Sequence, residues 1–164
     1  MRCPRALLTF GLALGLVASV GGCGFTPLYG EGAAGASLSR ISVSAQDNRL
    51  GYRLREQLED SLGLDRSQAP LYRLTTDVEQ SRRPLGRRID DTATRYELTI
   101  KADWILTPLA GGTPLTGTET VTTTYSAADQ PYAAISAQQD GEDRAAAELA
   151  RLIRLDLVLA LAGR

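Results

Sequence analysis

The distribution of apolar positions divides the chain into a short, ordered series of elements. Leu38-Ser39-Arg40-Ile41-Ser42-Val43-Ser44 alternates polar and apolar residues and predicts a short strand with Ile41 and Val43 on one face. Asp47 or Asn48 can then cap a helix. Within it Leu50, Leu54, Leu58 and Leu62 recur every four residues, opposite Arg53, Glu56, Glu59 and Asp60, and Gly63 is placed to end it. Tyr72, Leu74, Thr76 and Val78 alternate with Arg73, Thr75 and Asp77, and predict a half-buried strand. The clearest alternation is Tyr96, Leu98, Ile100, Ala102, Trp104 and Leu106, with Glu97, Thr99, Lys101 and Asp103 between them. Pro108 to Pro114 reads as a turn, and residues 116–126 as a threonine-rich strand with Val121, Thr123 and Tyr125 pointing one way.

A last helix is expected from about Gln139 to Ala162, after a loop holding Pro131. Asp140, Glu142 and Asp143 would lie in its first turn, where the helix dipole favours negative charge. Its end, Leu152 to Leu161, is apolar almost all round, more than one sheet face requires. Either it is deeply buried or part of it, including Leu155, Val158 and Leu159, meets a partner protein. The order β-α-β-β-β-α predicts an α/β two-layer sandwich: a four-stranded, mostly antiparallel sheet with both helices on one face. Nothing marks a second domain or an internal repeat.

Before this pattern starts, the chain reads differently. Arg2 and Arg5 precede an apolar run from Ala6 to Ala18, shorter than the ~20 residues of a membrane-spanning helix. A charged start and a short apolar run suit a secretory signal. A retained anchor is the alternative, weakened by Gly11, Gly15, Gly21 and Gly22. Val20-Gly21-Gly22-Cys23 resembles a lipobox, the motif at which a lipoprotein signal peptidase cuts before a lipid-modified cysteine. Residues 1–22 would then be removed, Cys23 would carry the lipid, residues 23–37 would form the lipidated start and a glycine- and alanine-rich tether, and residues 38–164 the folded domain. The resemblance implies three acyl chains, each CH₂ contributing about 0.8 kcal/mol, an effectively permanent attachment. Gly24 follows the cysteine. In lipoproteins an aspartate there usually signals inner-membrane retention, and its absence points to the outer membrane.

Composition narrows the chemistry. The formal net charge is −1, and losing Arg2 and Arg5 moves it to −3, so nucleic acid is not an expected partner. There is no histidine, and the two cysteines, Cys3 and Cys23, both precede the domain. This removes Ser-His and Cys-His pairs and leaves no thiolate or imidazole for a metal site. We expect no enzyme, no metal and no cofactor beyond the covalent lipid on Cys23. The concentrated charge lies in Ser81-Arg82-Arg83-Pro84-Leu85-Gly86-Arg87-Arg88-Ile89-Asp90-Asp91, which with Arg95 sets five arginines against two aspartates. Guanidinium forks suit phosphate, so Arg82, Arg83, Arg87 and Arg88 are candidate anion contacts. A solvated hairpin paired to Asp90 and Asp91 is the alternative.

Cys23-Gly24-Phe25-Thr26-Pro27-Leu28-Tyr29-Gly30 resembles the N-terminus of the LptE family, the lipopolysaccharide-assembly lipoproteins of Gram-negative bacteria, and the order of elements after it is similar throughout. This resemblance implies an outer-membrane lipoprotein that plugs the LptD β-barrel and helps insert lipopolysaccharide into the outer leaflet, with lipopolysaccharide as ligand of the basic loop. Phe25, Leu28 and Tyr29 would either pack on the domain edge or dock on the barrel or membrane. A generic periplasm-facing lipid-binding or scaffold lipoprotein is the alternative.

Overall fold

Inward-pointing residues at every second position of the strands give the sheet one dry face, and both helices pack on it. A computed structural model describes residues 37–85, 95–126 and 130–162. The elements are β1 (Ile41–Ala45), α1 (Arg49–Leu62), β2 (Tyr72–Pro84), β3 (Arg95–Pro108), β4 (Leu115–Ser126) and α2 (Pro131–Ala162), in a single sheet of order β1-β2-β3-β4. The α/β sandwich with sequence order β-α-β-β-β-α is as expected. β1 runs parallel to β2, and the β2–β3 and β3–β4 pairs are antiparallel, so the sheet is mixed. The parallel pair follows from α1, which carries the chain back to the end of the sheet where β1 began.

α1 forms where its punctuation directs. The Asn48 side chain accepts from the Gly51 N–H at 2.7 Å, and Gly63 ends the helix at φ 65°, a left-handed position that glycine takes without steric cost. Leu50, Leu54, Leu58 and Leu62 are buried as one stripe. Each such leucine contributes about 1.5–3 kcal/mol of burial. Below them lie Ile41, Leu74 and Val78, and the buried row of β3: Leu98, Ile100, Ala102, Trp104 and Leu106. Leu149, Ile153 and Leu157 close the layer from α2.

Three boundaries differ from the sequence reading. β1 starts at Ile41, because Leu38 is buried in a preceding turn in which the Arg40 N–H donates to the Ser37 carbonyl. β2 runs on to Pro84, so Arg82 and Arg83 are strand residues and not loop residues. α2 begins at Pro131, eight residues before the expected start, which moves Asp140, Glu142 and Asp143 from the first turn to the third and fourth. Proline suits the first helical position, where its missing N–H costs nothing, and the alanines that follow favour helix without producing an apolar period.

Trp104 shows how tightly β3 and β4 are matched. It pairs with Gly117, and a Cβ built on Gly117 would lie 2.3 Å from Cζ2 of the indole. The ring occupies the space a side chain would need. Gly117→Val should therefore lower stability by about 1–3 kcal/mol, read as a melting temperature lower by several degrees together with a red-shifted emission from Trp104, the single tryptophan of the chain. Unchanged melting and emission would show that the indole does not rest on the Gly117 backbone.

Candidate functional site

The β2–β3 hairpin carries arginines at the end of the sheet where α2 begins. Arg82 points to the helix side. Its guanidinium lies 4.9 Å from the ring centre of Tyr96, which stacks on Tyr125 at 5.4 Å. One nitrogen, Nη1, donates to the Tyr125 hydroxyl at 3.4 Å and to Oε1 of Gln138 at 3.3 Å. The hydrogen bond to Tyr125 raises the Arg82 pKa above its ordinary value, so this charge is permanent. Arg83 points to the opposite face and donates through Nε and Nη2 to one carboxylate oxygen of Glu97, at 3.2 and 2.8 Å. Arg95 is exposed at the start of β3. Arg87 and Arg88 lie outside the described residues.

Beside Arg82 the structure opens two adjoining hollows that share Gln80 and Gln138. One, of about 280 Å³, is lined by Gln80, Ser81, Arg82, Leu98 and Gln138. The other, of about 480 Å³, lies between the starts of both helices and β2, and Arg49, Leu50, Val78, Ile135 and Glu142 contribute to it. Its floor is polar and fixed. Glu142 is buried, accepts from Arg49 Nη1 at 2.9 Å and from Gln138 Nε2 at 2.9 Å, and so joins α1 to α2. Arg49 is itself exposed, so the pair is half-buried; the buried Glu142 carboxylate depends on these two donors, and loss of Arg49 would leave it with the Gln138 amide alone. Sequence reasoning missed the hollow because its α2 wall, Ile135 and Gln138, belongs to the part of the helix without apolar periodicity. Tyr132 and Ile135 are exposed there.

The other candidates separate. Leu155 and Leu159 are exposed, at 36% and 59%, whereas Val158 is 3% exposed and belongs to the core. Val158 is therefore a packing residue, and of the three only Leu155 and Leu159 present surface to a partner. Cys23, Phe25, Leu28 and Tyr29 lie outside the described residues. Among the described residues no cluster of acidic, cysteine or histidine side chains could hold a metal ion, and no helix is long and apolar enough to cross a membrane.

One carboxyl pair was not foreseen. Glu119 points inward from β4 and hydrogen-bonds Asp156 of α2. Burial, and then this acidic neighbour, raises the Glu119 pKa above the ordinary glutamate range.

A lipopolysaccharide-assembly family model, LptE, matches residues 38–157, which span all six elements up to the last turns of α2. The chain belongs to the LptE family. Its sequence is 45% identical to that of a lipoprotein of known structure from Caulobacter crescentus, over 80% of this chain and 97% of that one, with a TM-score of 0.69. A rare lipoprotein B from Shewanella oneidensis is similar at 16% identity over 75% of this chain and 93% of that one, with a TM-score of 0.47. No curated protein matches. In this LptE-family domain the arginine-bearing end and the exposed Leu155 and Leu159 are parts of one folded unit.

The Glu119 pair predicts a pH dependence. The folded state holds the Glu119 proton more tightly than the unfolded chain, so the stability it contributes is complete below about pH 4 and is lost as pH rises through the raised value. Glu119→Gln should flatten that slope and be the more stable form at neutral pH. Urea midpoints of both proteins at about pH 4 and about pH 7 test this; parallel changes in the two would exclude Glu119 as the source.

Proposed function

We propose that this chain is an outer-membrane lipoprotein, anchored through a lipid on Cys23 after removal of residues 1–22, that seats in an LptD β-barrel and assists delivery of lipopolysaccharide to the outer leaflet. What carries the reading is the family match over residues 38–157, which covers the folded domain, together with the lipobox-like Val20-Gly21-Gly22-Cys23 that precedes it. The order of signal, lipidated cysteine, tether and domain is the one such a lipoprotein needs. The work assigned is binding, chaperoning and occlusion, with no covalent step and no cofactor beyond the anchor.

The physical character of the domain supports this role. The sheet face turned away from the helices is wet apart from the exposed Ile105: Arg73, Thr75, Asp77 and Glu79 on β2, Lys101 and Asp103 on β3, and five threonines on β4. A polar face suits the polar interior of a large barrel better than lipid. The arginine-bearing hairpin is the part suited to the phosphates of lipopolysaccharide. Arg82 and Arg83 use part of their donors within the domain, so the contact would fall chiefly to Arg87 and Arg88, with Arg82 and Arg83 adding permanent positive charge and their remaining donors.

The test is an affinity isolation of the tagged, acylated protein from detergent-solubilised outer membranes. LptD is expected at near-equal amount. Recovery of the acylated protein without a barrel would overturn the partnership and favour a free periplasm-facing lipid-binding module. In the same preparation Arg87→Glu with Arg88→Glu should weaken lipopolysaccharide binding at least tenfold without loss of the barrel; unchanged affinity would remove the hairpin from the ligand site.

A further inference from the structure

β4 is the last strand of the sheet, and the direction of its main-chain groups can be worked out residue by residue. At one end of the β2–β3 pair the Leu85 N–H donates to the Arg95 carbonyl at 2.7 Å; at the other the Leu109 N–H donates to the Leu71 carbonyl at 2.9 Å. Odd-numbered residues of β3 therefore address β2, and even-numbered ones address β4. The β3–β4 register runs without interruption from Arg95↔Ser126 to Leu106↔Leu115. Odd residues of β4 thus bond to β3, while Thr116, Thr118, Thr120, Thr122 and Thr124 turn their N–H and C=O groups to the free edge. Arg144 of α2 agrees with this, since its Nη2 donates to the Thr124 carbonyl at 3.2 Å.

Long free edges are normally blunted by lysine, proline, a bulge or a covering segment. β4 has twelve residues, Leu-Thr-Gly-Thr-Glu-Thr-Val-Thr-Thr-Thr-Tyr-Ser, with no lysine, arginine or proline and no bulge. Among the described residues Arg144 caps Thr124, and no strand lies beyond β4.

Arg144 also fixes which stripe of α2 borders this edge. Going down the helix from it in steps of four, four, three and four residues gives Glu148, Leu152, Leu155 and Leu159, all on the same side. This stripe becomes apolar where it runs beside the uncapped part of β4, and it includes the exposed Leu155 and Leu159. The carboxyls of Glu119 on β4 and Asp156 on α2, both partly exposed, meet between the strand and this part of the helix.

We propose that the free edge of β4 and the Leu152–Leu155–Leu159 stripe of α2 form one docking site for an extended strand of a partner protein. The strand pairs main chain to main chain along Thr116–Thr122, sets apolar side chains beneath the leucines and places a lysine or arginine at Glu119 and Asp156. This is strand addition, in which the backbone supplies affinity and alternate side chains supply selectivity. Charge decides between occupants. A second copy of this chain, paired edge to edge, would bring two Glu119–Asp156 pairs into one seam, which like charge disfavours; a foreign cationic strand neutralises the single pair. The site requires the domain alone and does not depend on the barrel partnership.

The probe is a nine-residue peptide of alternating valine and threonine with one central lysine on the valine side, added to the full-length chain in detergent and followed by amide hydrogen exchange. Saturating peptide should slow exchange at Thr116, Thr118, Thr120 and Thr122 at least tenfold. The same peptide with alternate N-methylated residues should not bind. Leu155→Glu with Leu159→Glu should weaken binding at least tenfold while melting stays within a few degrees. Glu119→Gln with Asp156→Asn should weaken the lysine peptide but not its threonine-for-lysine analogue. Unchanged exchange, equal binding of the N-methylated peptide, or protection of these four amides before any peptide is added, as a second copy or the chain's own N-terminal segment would give, overturns the proposal.

Discussion

The inward row of β3, Leu98-Ile100-Ala102-Trp104-Leu106, is the surface on which the rest of the domain is built. Because β3 is central and antiparallel to both neighbours, its alternation sets the dry side for β2 and β4 as well. A one-residue slip would turn Ile100 and Leu106 outward and bring Lys101 and Asp103 beneath the helices. Trp104 guards against that slip, since its ring fits only opposite Gly117. Once the dry side is set, the leucine stripe of α1 and the alanine-rich stripe of α2 have one place to go, side by side on the same face. The Arg49–Glu142 pair then fixes one helix against the other at the end where α1 starts.

That arrangement leaves the opposite face and one edge uncovered, and the chain treats the two differently. The open face carries charges that pair locally, such as Lys101 with Asp103 at 2.7 Å and Arg83 with Glu97, and hydroxyls that meet across strands, such as Thr99 with Thr122 at 3.3 Å. Exposed pairs of this kind contribute little stability and serve mainly to keep the surface wet. The β4 edge carries no such charge on its outward positions, where only threonine and serine stand.

Much of this was legible in the sequence. The α1 stripe and its Gly63 stop rest on local physics and appear in the structure as read, and of the two cap candidates, Asp47 and Asn48, the helix takes Asn48. The β3 alternation was equally plain, because a sheet dry on one side needs period two. What could not be read depended on contacts distant in the chain. The start of α2 has alanine where a periodic signal would need leucine, and it is held by Gln138 reaching Arg82 and Glu142. Arg82 and Arg83 sit in a polar run that reads as a loop, yet cross-strand partners in β3 hold them extended: Arg83 pairs with Glu97 and Arg82 stacks on Tyr96. Val158 stood open between core and partner contact because the helix end is apolar all round, and only packing reveals which side is covered. The carboxyl pair of Glu119 and Asp156 is invisible in sequence, since two groups that the fold brings together stand 37 positions apart.

The described hairpin arginines, Arg82 and Arg83, are first of all structural. Arg82 is held by two tyrosines and a glutamine on the helix side of the sheet, and Arg83 by a carboxylate on the other. Each guanidinium uses only part of its five donors on these contacts: Arg82 uses Nη1, and Arg83 uses Nε and Nη2. A site built on the residues beyond them gains from their field without disturbing their geometry, because a fixed charge attracts an anion at a distance where no hydrogen bond forms. In a body of net negative charge, a local positive spot of this kind would draw an anion to the hairpin in preference to the remaining surface. For a protein whose work is assembly, the rigid strand end therefore matters as much as the arginines that follow it.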